Sequence, residues 1–514
     1  MITTLLASLL FAADPFKPDF ILTNATLVDG TGKAAFVGDL AIAGQKIIAI
    51  GKFQTEGQPK RIDAKGKIVA PGFIDLHTHS DYPMQKTPTN ANLNYLFQGV
   101  TTAVTGNCGS GPVDTAKYYA ALEKIQIGSN VAHQAPHNDV RRAAMGNVNR
   151  APTEDEVKKM EALVEKAMKD GAWGLSTGLI YNPGTYSKTA EIISLAKIAS
   201  RHGGFYASHI RDEGSDVLVA INEALTIGRE ANLPVHISHL KVSGRNMWGK
   251  SGDVLGLLLN ARKQGARVTA DQYPYSASST SLTATVVPSR FREGERADME
   301  KRFLDPEIGP LMENAIDQSL KEKKDGADLR IARCQYKPAW AGKTIASIAK
   351  ETGKTPLQVA VEIEKNGGAQ IVHFSMNDED MRLFMKQEMV ATASDGGAMA
   401  PDKASVPHPR NYGTFPRKIG LYSIQEKLLP LEQAIRSASG LPADILGLKD
   451  RGYLKVGAYA DVVVFDPALF RDKATFDKPH QYAAGMEWVF VNGVPAIAEG
   501  KPTGKLPGKA LRHQ

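Results

Sequence analysis

The sequence has few cysteines, little long apolar sequence and no block of like charges. Cys108 and Cys334 are the only cysteines in 514 residues, so a disulfide framework does not hold the chain together. The 62 Lys and Arg residues are interspersed with 55 Asp and Glu residues, and the formal charge of +7 does not gather into a basic patch. We therefore expect no nucleic-acid partner. A hydrophobic fraction of 42% excludes a disordered chain and predicts a large core with at least one smaller domain.

The one long apolar run lies at the N-terminus, at residues 5–13. It is too short to cross a bilayer, so we predict no membrane span. Residues 1–13 are consistent with a short signal peptide ending at Ala12 and Ala13, which predicts export to the periplasm. No Lys or Arg precedes the run, and the alternative is a cytoplasmic protein that keeps a frayed N-terminus. The sequence predicts no particular oligomeric state.

The two ends of the chain share a β-rich pattern. Between residues 18 and 70, short β-like runs are separated by turn signals such as Asp29-Gly30. The pattern returns between residues 450 and 514, around the runs 460–465 and 488–493. We predict that both ends together build one small β-sandwich domain.

The central part, residues 71–449, alternates buried-strand patterns with amphipathic helices. One helix is predicted to begin at a capping box formed by Thr153 and Glu156 and to bury Met160 and Val164. Eight strand-like runs occur, at residues 73–76, 101–105, 131–134, 172–176, 205–208, 234–238, 267–270 and 389–393. Eight strands alternating with helices predict an α/β fold, a parallel (β/α)8 barrel of the TIM type.

The regular spacing of these strands fails once, between the seventh and the eighth. Within that gap, residues 282–340 form a mixed, charged segment that is longer than a plain connection. We predict an insertion in the barrel that serves as a lid.

Side chains that bind metals follow several of the predicted strands. The first strand is followed by His77 and His79, whose spacing of two lets both imidazoles point into the barrel mouth. The second, fifth, sixth and eighth strands are followed by Cys108, His209, His239 and Asp395. Any one of these residues alone would be typical of a buried structural position. Because the carboxyl ends of barrel strands meet at one face, the set predicts a zinc site built from thiolate and imidazole.

Longer motifs surround these residues: Pro71-Gly72-Phe73-Ile74-Asp75, Gly106-Asn107-Cys108-Gly109, Ser208-His209-Ile210-Arg211-Asp212-Glu213, Ile237-Ser238-His239-Leu240-Lys241 and His408-Pro409-Arg410. Over about residues 20–512, the chain resembles the D-aminoacylase (N-acyl-D-amino-acid deacylase) family of the amidohydrolase superfamily. The resemblance implies that Cys108, His209 and His239 hold one zinc ion tightly. It also implies a weaker second site at His77 and His79, and the sequence leaves open whether one or two ions are bound.

Asp395 is the predicted catalytic residue. A carboxylate beside zinc can take a proton from water and pass it to the leaving amine. The structural alternative is an aspartate that caps the turn at Gly396-Gly397. Arg211, Asp212 and Glu213 are expected to order His209 instead of touching substrate.

A substrate derived from an amino acid also brings a free carboxylate, which a cation and hydroxyl groups can bind. Lys241 lies two residues beyond His239 and fits that role. Resemblance to the family adds Tyr273 and Ser279 as its partners. Tyr181 and Arg410 are predicted pocket residues, with simple packing and a surface ion pair as their alternatives.

The predicted function is zinc-dependent hydrolysis of the acyl-amide bond of a small-molecule N-acyl-D-amino acid. Two other hydrolytic functions remain open, a D-specific dipeptidase and a deacylase for N-acyl-D-glutamate or N-acyl-D-aspartate. A deaminase is disfavoured because Cys108 and Lys241 indicate acyl-amide chemistry on a substrate that carries a carboxylate. From a different class, a non-catalytic metal-binding protein would be expected to lack one of the ligands or the aspartate, and all six residues are present.

Overall fold

The computed structural model describes residues 16–513. The predicted signal segment, residues 1–13, lies outside the described residues. Within residues 16–513, every helix is too short or too polar to cross a bilayer.

The strands of the described residues form four sheets. In chain order they are β1 (Phe20–Leu27), β2 (Phe36–Ala43), β3 (Lys46–Gly51), β4 (Lys60–Asp63), β5 (Ile68–Pro71), β6 (Phe73–Asp75), β7 (Val100–Thr105), β8 (Asn130–His133), β9 (Ala135–Pro136), β10 (Gly174–Gly178), β11 (Phe205–His209), β12 (Val235–Ile237), β13 (Val268–Gln272), β14 (Ser278–Ser281), β15 (Leu329–Arg333), β16 (Gln370–His373), β17 (Val390–Thr392), β18 (Val462–Phe465), β19 (Met486–Val491), β20 (Val494–Ala498) and β21 (Lys501–Pro502).

The α-helices of the same residues are, in chain order, α1 (Leu93–Leu96), α2 (Thr115–Ile125), α3 (His137–Met145), α4 (Glu154–Lys169), α5 (Thr189–Arg201), α6 (Val217–Ala231), α7 (Ser251–Lys263), α8 (Leu282–Val286), α9 (Arg296–Arg302), α10 (Ile308–Lys321), α11 (Ile345–Thr352), α12 (Pro356–Glu364), α13 (Asp378–Met385), α14 (Arg410–Pro416), α15 (Leu431–Ala438) and α16 (Gly440–Leu446). A π-helix, Arg417–Gln425, continues α14.

The central part of the chain is a TIM-type barrel, as predicted. Strands β6, β7 and β8 pair in parallel, and β9, β10, β11, β12, β13 and β17 continue the parallel order. Only Gln134 separates β8 from β9, so the two are halves of the third barrel strand. The eighth strand returns to the first through a parallel bridge between Thr78 and Gly396.

Helix α4 illustrates how the barrel core forms. The Thr153 hydroxyl accepts a hydrogen bond from the Glu156 N–H, and the Glu156 carboxylate accepts one from the Thr153 N–H. This confirms the predicted capping box. On the inner face of the helix, Met160 and Val164 join a hydrophobic core shared with the barrel strands.

The small β-sandwich domain is built by both chain ends. Strand β18 pairs antiparallel with β5 on one side and with β19 on the other, so the last strands complete a sheet begun by β1, β2 and β3. Its core contains Leu22 and Leu40 from the first end and Val464 and Trp488 from the second. The strands of this domain lie within residues 20–71 and 462–502. The domain limits of 18–70 and 450–514 remain predictions.

The insertion between the seventh and eighth barrel strands has a core of its own. Strands β14, β15 and β16 form an antiparallel sheet, and helices α8 to α12 pack beside it. This core runs from Leu282 to Ile371, beyond the predicted end at residue 340, because β16 is the central strand of the sheet. Arg292 donates a hydrogen bond to the Ile180 carbonyl at 3.1 Å, so the insertion rests on the loop after the fourth barrel strand.

Candidate metal centre and active site

Six side chains named from the sequence meet at the carboxyl-terminal mouth of the barrel. His77 and His79 follow β6, Cys108 follows β7, and His209 ends β11. His239 and Asp395 follow β12 and β17. Five of the six are buried, and the His79 side chain, 39% exposed, lies nearest to solvent.

The thiol and the imidazoles face one another closely. The Cys108 Sγ atom lies 3.2 Å from His77 Nε2 and 3.7 Å from both His209 Nδ1 and His239 Nε2. His209 Nδ1 and His239 Nε2 are 2.7 Å apart. Thiolate and imidazole are the ligands that zinc prefers, so this donor set fits a zinc ion.

Potential ligand atoms fall into three overlapping groups in the described residues. They are His77 with Cys108 and His239, His77 with His79 and Asp395, and His209 with Glu213 and His239. Within each group the donor atoms lie within 4.8 Å of one another. Because His77 and His239 each belong to two groups, neighbouring ions would share ligands.

The backbone is strained at three of these positions. Cys108, His239 and Asp395 have φ angles of 52°, 37° and 50°, in the left-handed region that side chains other than glycine rarely adopt. Each such residue costs on the order of 1–3 kcal/mol, and this strain is typical of functional sites. At Gly178, a Cβ atom would lie 2.2 Å from the Cys108 carbonyl oxygen, so only glycine leaves room for this turn.

Asp395 is held as a carboxylate. Its Oδ1 atom lies 3.1 Å from His79 Nε2 and 3.5 Å from His77 Nε2, and Arg410 Nη1 lies 2.8 Å from Oδ2. Burial alone would raise the pKa of Asp395, but Arg410 and then His77 hold it well below its ordinary value.

Asp395 does not cap the turn that follows it, which was the structural alternative for this residue. The Gly396 N–H donates to the Ser394 hydroxyl, and the Gly397 N–H donates to the Asn411 side chain. The Asp395 carboxylate therefore faces the histidines instead of the turn.

Lys241 is buried beside the histidines. Its ammonium donates to Glu213 Oε1 at 2.5 Å and lies 5.8 Å from the centre of the Tyr273 ring. The Arg410 guanidinium lies 4.7 Å from the same ring. Arg410 is thus a buried partner of Asp395 and not half of a surface ion pair.

A cavity of about 390 Å³ opens above the metal-binding residues and is lined by His79, Cys108 and Asp395. Tyr181 lines it, with its ring 4.9 Å from the His209 ring and its hydroxyl 3.0 Å from Thr280 Oγ1. Ser279 also lines it, although its hydroxyl donates to the Ile371 carbonyl at 2.8 Å and that proton is already engaged. The Tyr273 hydroxyl contacts Met376 Sδ at 4.0 Å. Tyr181 and Ser279 therefore line the cavity, whereas Tyr273 does not. Lys241 is hydrogen-bonded to Glu213 and not to Tyr273 or Ser279.

Two carboxylates, Glu213 and Asp271, contact the proposed metal ligands in a way that the sequence did not predict. Glu213 lies 3.0 Å from His239 Nδ1 and 3.8 Å from His209 Nε2, so it serves His239 more directly than His209. Arg211 and Asp212 face other partners, a carboxylate at Glu223 and the Gly214 N–H. Burial would raise the pKa of Glu213, but Lys241 and the histidines hold it well below its usual range.

Asp271 was not among the predicted site residues. It lies on β13, the seventh strand, buried 3.5 Å from His77 Nδ1. The rule that found the other residues, a polar side chain near the carboxyl end of a barrel strand, would also have found Asp271.

The chain is similar to proteins of known activity. Residues 60–497 match the family profile described as "Amidohydrolase family". D-aminoacylase of Alcaligenes xylosoxydans xylosoxydans is 35% identical over 97% of this chain and 98% of its own length. N-acyl-D-glutamate deacylase of the same organism is also 35% identical, over 97% of each chain.

Among solved structures, N-acyl-D-glutamate deacylase from Bordetella bronchiseptica has a TM-score of 0.82 with 32% identity, and the match covers 96% of this chain and 100% of that one. That structure is a complex with zinc and a phosphonate inhibitor, a mimic of the tetrahedral intermediate of the reaction. A relative with the same fold therefore carries zinc.

Proposed function

The chain belongs to the amidohydrolase family, and from that membership we propose that it hydrolyses the acyl-amide bond of N-acyl-D-amino acids, releasing a carboxylate and the free D-amino acid. It is a metal-dependent hydrolase of linear amides. The observation that carries the proposal is the convergence of Cys108, His209 and His239, with the Lys241 ammonium 2.8 Å from His239 Nδ1.

Zinc is the proposed cofactor. Cys108, His209 and His239 would hold one ion tightly, and His77 and His79 would provide a weaker second site that shares the thiolate. When bound, zinc supplies Lewis acidity toward the scissile carbonyl and lowers the pKa of water toward about 7.

Asp395 is the proposed proton carrier. Because Arg410 keeps it ionised, Asp395 can accept a proton from the attacking water. It then delivers the proton to the leaving nitrogen, which departs as the amine of the D-amino acid. The short contact with His79 orients the Oδ1 atom for both transfers.

Lys241 is the proposed anchor of the substrate's α-carboxylate, which would compete with Glu213 for the ammonium, and Tyr273 and Ser279 are the further proposed substrate contacts. A buried ammonium makes a strong, charge-assisted contact with a carboxylate. Tyr181 and Arg410 would enclose the substrate on the opposite sides, above His209 and beside Asp395.

The cavity favours an amino acid with an uncharged side chain. Among the described residues that line it, Arg142 carries the only fixed positive charge. Its guanidinium already donates to Asp139 at 3.4 Å and to the Asn182 carbonyl at 3.1 Å. A second substrate carboxylate would have to share this guanidinium with those partners.

The test is an assay of the purified protein, metal-free and zinc-loaded, against N-acetyl derivatives of D-methionine, D-glutamate and D-aspartate and against a dipeptide with a C-terminal D-residue. We expect hydrolysis only with zinc, fastest for the D-methionine derivative. Faster hydrolysis of the D-glutamate derivative would overturn the side-chain assignment. Failure on all four compounds with zinc bound would favour a non-catalytic metal-binding protein.

A further inference from the structure

We propose that Asp271 and His236 form a positioning pair that fixes the orientation and tautomer of His77 and supports the backbone of His239. The inference rests on the proposed zinc site. Asp271 Oδ2 lies 3.5 Å from His77 Nδ1 and 2.8 Å from His236 Nε2, and Asp271 Oδ1 accepts a hydrogen bond from the His239 N–H at 2.7 Å. One carboxylate therefore faces three nitrogens at once.

The burial of this group calls for an explanation. Asp271 is 1% exposed, His236 2% and His77 0%. A carboxylate that is removed from water without partners is costly, and each N–H that donates to it offsets part of that cost.

The arrangement determines which nitrogen of His77 is free to bind metal. His77 Nε2 faces the Cys108 thiol at 3.2 Å, so its lone pair must point there if it is a ligand. The proton then belongs on Nδ1, a buried atom that makes no hydrogen bond in this geometry and faces Asp271 Oδ2 at 3.5 Å. A histidine ligand commonly donates its second N–H to a carboxylate, and this contact fixes the ring and makes it a better ligand.

His236 holds the carboxylate in place from the other side. Its Nε2 atom lies 2.8 Å from Asp271 Oδ2, and its Nδ1 atom lies 2.9 Å from the Thr269 hydroxyl, which can donate to it. The His236 side chain also lines a cavity of about 650 Å³ bounded by Phe205, Leu441 and Ile445, separate from the cavity above the histidines. His236 can therefore act on the metal centre only through Asp271.

The contact with His239 adds a second effect. His239 has a left-handed φ of 37°, which persists only where the surroundings enforce it. Its N–H is fixed by Asp271 Oδ1, and the Leu240 N–H donates to the Asp271 carbonyl at 2.7 Å. Loss of the Asp271 carboxylate would therefore release both the turn that carries His239 and the ring of His77.

Asp271→Asn tests the pair with a substitution of equal size. An amide has one acceptor oxygen, so its NH2 group must face a nitrogen that Asp271 accepts from, and one histidine must change its tautomer or its position. We expect the zinc affinity of the metal-free protein to fall by about 10- to 100-fold. The measurement is zinc titration against a competing chelator, with cadmium titration as a second readout through absorbance of the cadmium–thiolate bond at Cys108.

His236 provides a rescue experiment that does not depend on folding of the Asp271 variant. His236→Leu removes the donor to Asp271 and should weaken zinc binding, whereas His236→Gln keeps an N–H near the position of Nε2 and should restore most of it. The matched control is Glu191→Gln, because Glu191 is a buried carboxylate that contacts His137 at 3.0 Å and touches none of the proposed ligands. We expect the control to lose stability but keep its zinc affinity.

The outcomes separate this inference from the proposed function. Wild-type zinc affinity in Asp271→Asn, or an equal loss of affinity in Glu191→Gln, would overturn the positioning role while the hydrolase assignment stands. If the wild-type protein binds no zinc, both the inference and the proposed zinc chemistry are wrong.

Discussion

Gly178→Ala should disable the active site by adding a single methyl group. Gly178 ends β10 and lies beside His209 in the sheet register. A Cβ atom there would lie 2.2 Å from the Cys108 carbonyl oxygen and 2.9 Å from the Tyr181 ring. The substitution therefore presses on the strained turn that holds the proposed thiolate ligand.

The magnitude follows from the size of the clash. Real Cβ atoms essentially never approach another heavy atom within 3.0 Å, so the Cys108 backbone must move by about 0.8 Å, the difference between 3.0 and 2.2 Å. Overpacking of this kind costs about 1–3 kcal/mol of stability. A displacement approaching 1 Å at a reacting centre can cost on the order of 10²-fold in rate.

The assay compares zinc content, kcat/KM for N-acetyl-D-methionine and urea unfolding of Gly178→Ala with those of Gly256→Ala. Gly256 lies within α7, and a Cβ atom there meets nothing within 4 Å. The control should gain about 0.5–1 kcal/mol from helix propensity and keep full activity. Wild-type zinc content and activity in Gly178→Ala would refute the geometry given for the Cys108 turn.

Three further substitutions test other parts of the site and the fold. Asp395→Asn should keep its zinc, measured by elemental analysis, while kcat falls by about 10²- to 10⁴-fold because no carboxylate can carry the proton; substantial residual turnover would contradict that role. Lys241→Gln should lower kcat/KM by about 10- to 100-fold, mainly through KM, because a charged hydrogen bond to the substrate carboxylate is worth about 1.5–3 kcal/mol. Lys418 is buried in the π-helix, and burial lowers its pKa to about 7. The unfolded chain keeps that proton up to pH ~10.4, so the folded state should gain about 3–4 kcal/mol as pH rises from about 7 to 10. Lys418→Met should remove most of this gain in urea unfolding, and an unchanged pH dependence would show that Lys418 is not its source.

The barrel and most of the candidate site could be predicted because both depend on local patterns. A short apolar run indicates each strand, and a polar residue at the carboxyl end of that strand is expected to face the barrel mouth. His77, Cys108, His209, His239 and Asp395 all follow from this rule, and the structure brings them together.

The parts that could not be predicted depend on contacts between distant residues. The insertion extends to Ile371 because β16 pairs with both β14 and β15, and no local pattern shows that pairing. By contrast, His236 and Asp271 lie on β12 and β13, consecutive strands of the predicted barrel, so their contact was within reach of the sequence although neither residue was named from it. Glu213 follows His209 in the motif yet lies closer to His239, because the turn after β11 carries it across to the neighbouring strand end.

The most direct test of the central claim compares the two enantiomers of N-acetylmethionine on one preparation of the protein while zinc is titrated into its metal-free form. We expect hydrolysis of the D-enantiomer to appear in proportion to the first zinc bound and the L-enantiomer to react far more slowly. Hydrolysis that does not depend on zinc, or a preference for the L-enantiomer, would contradict that claim.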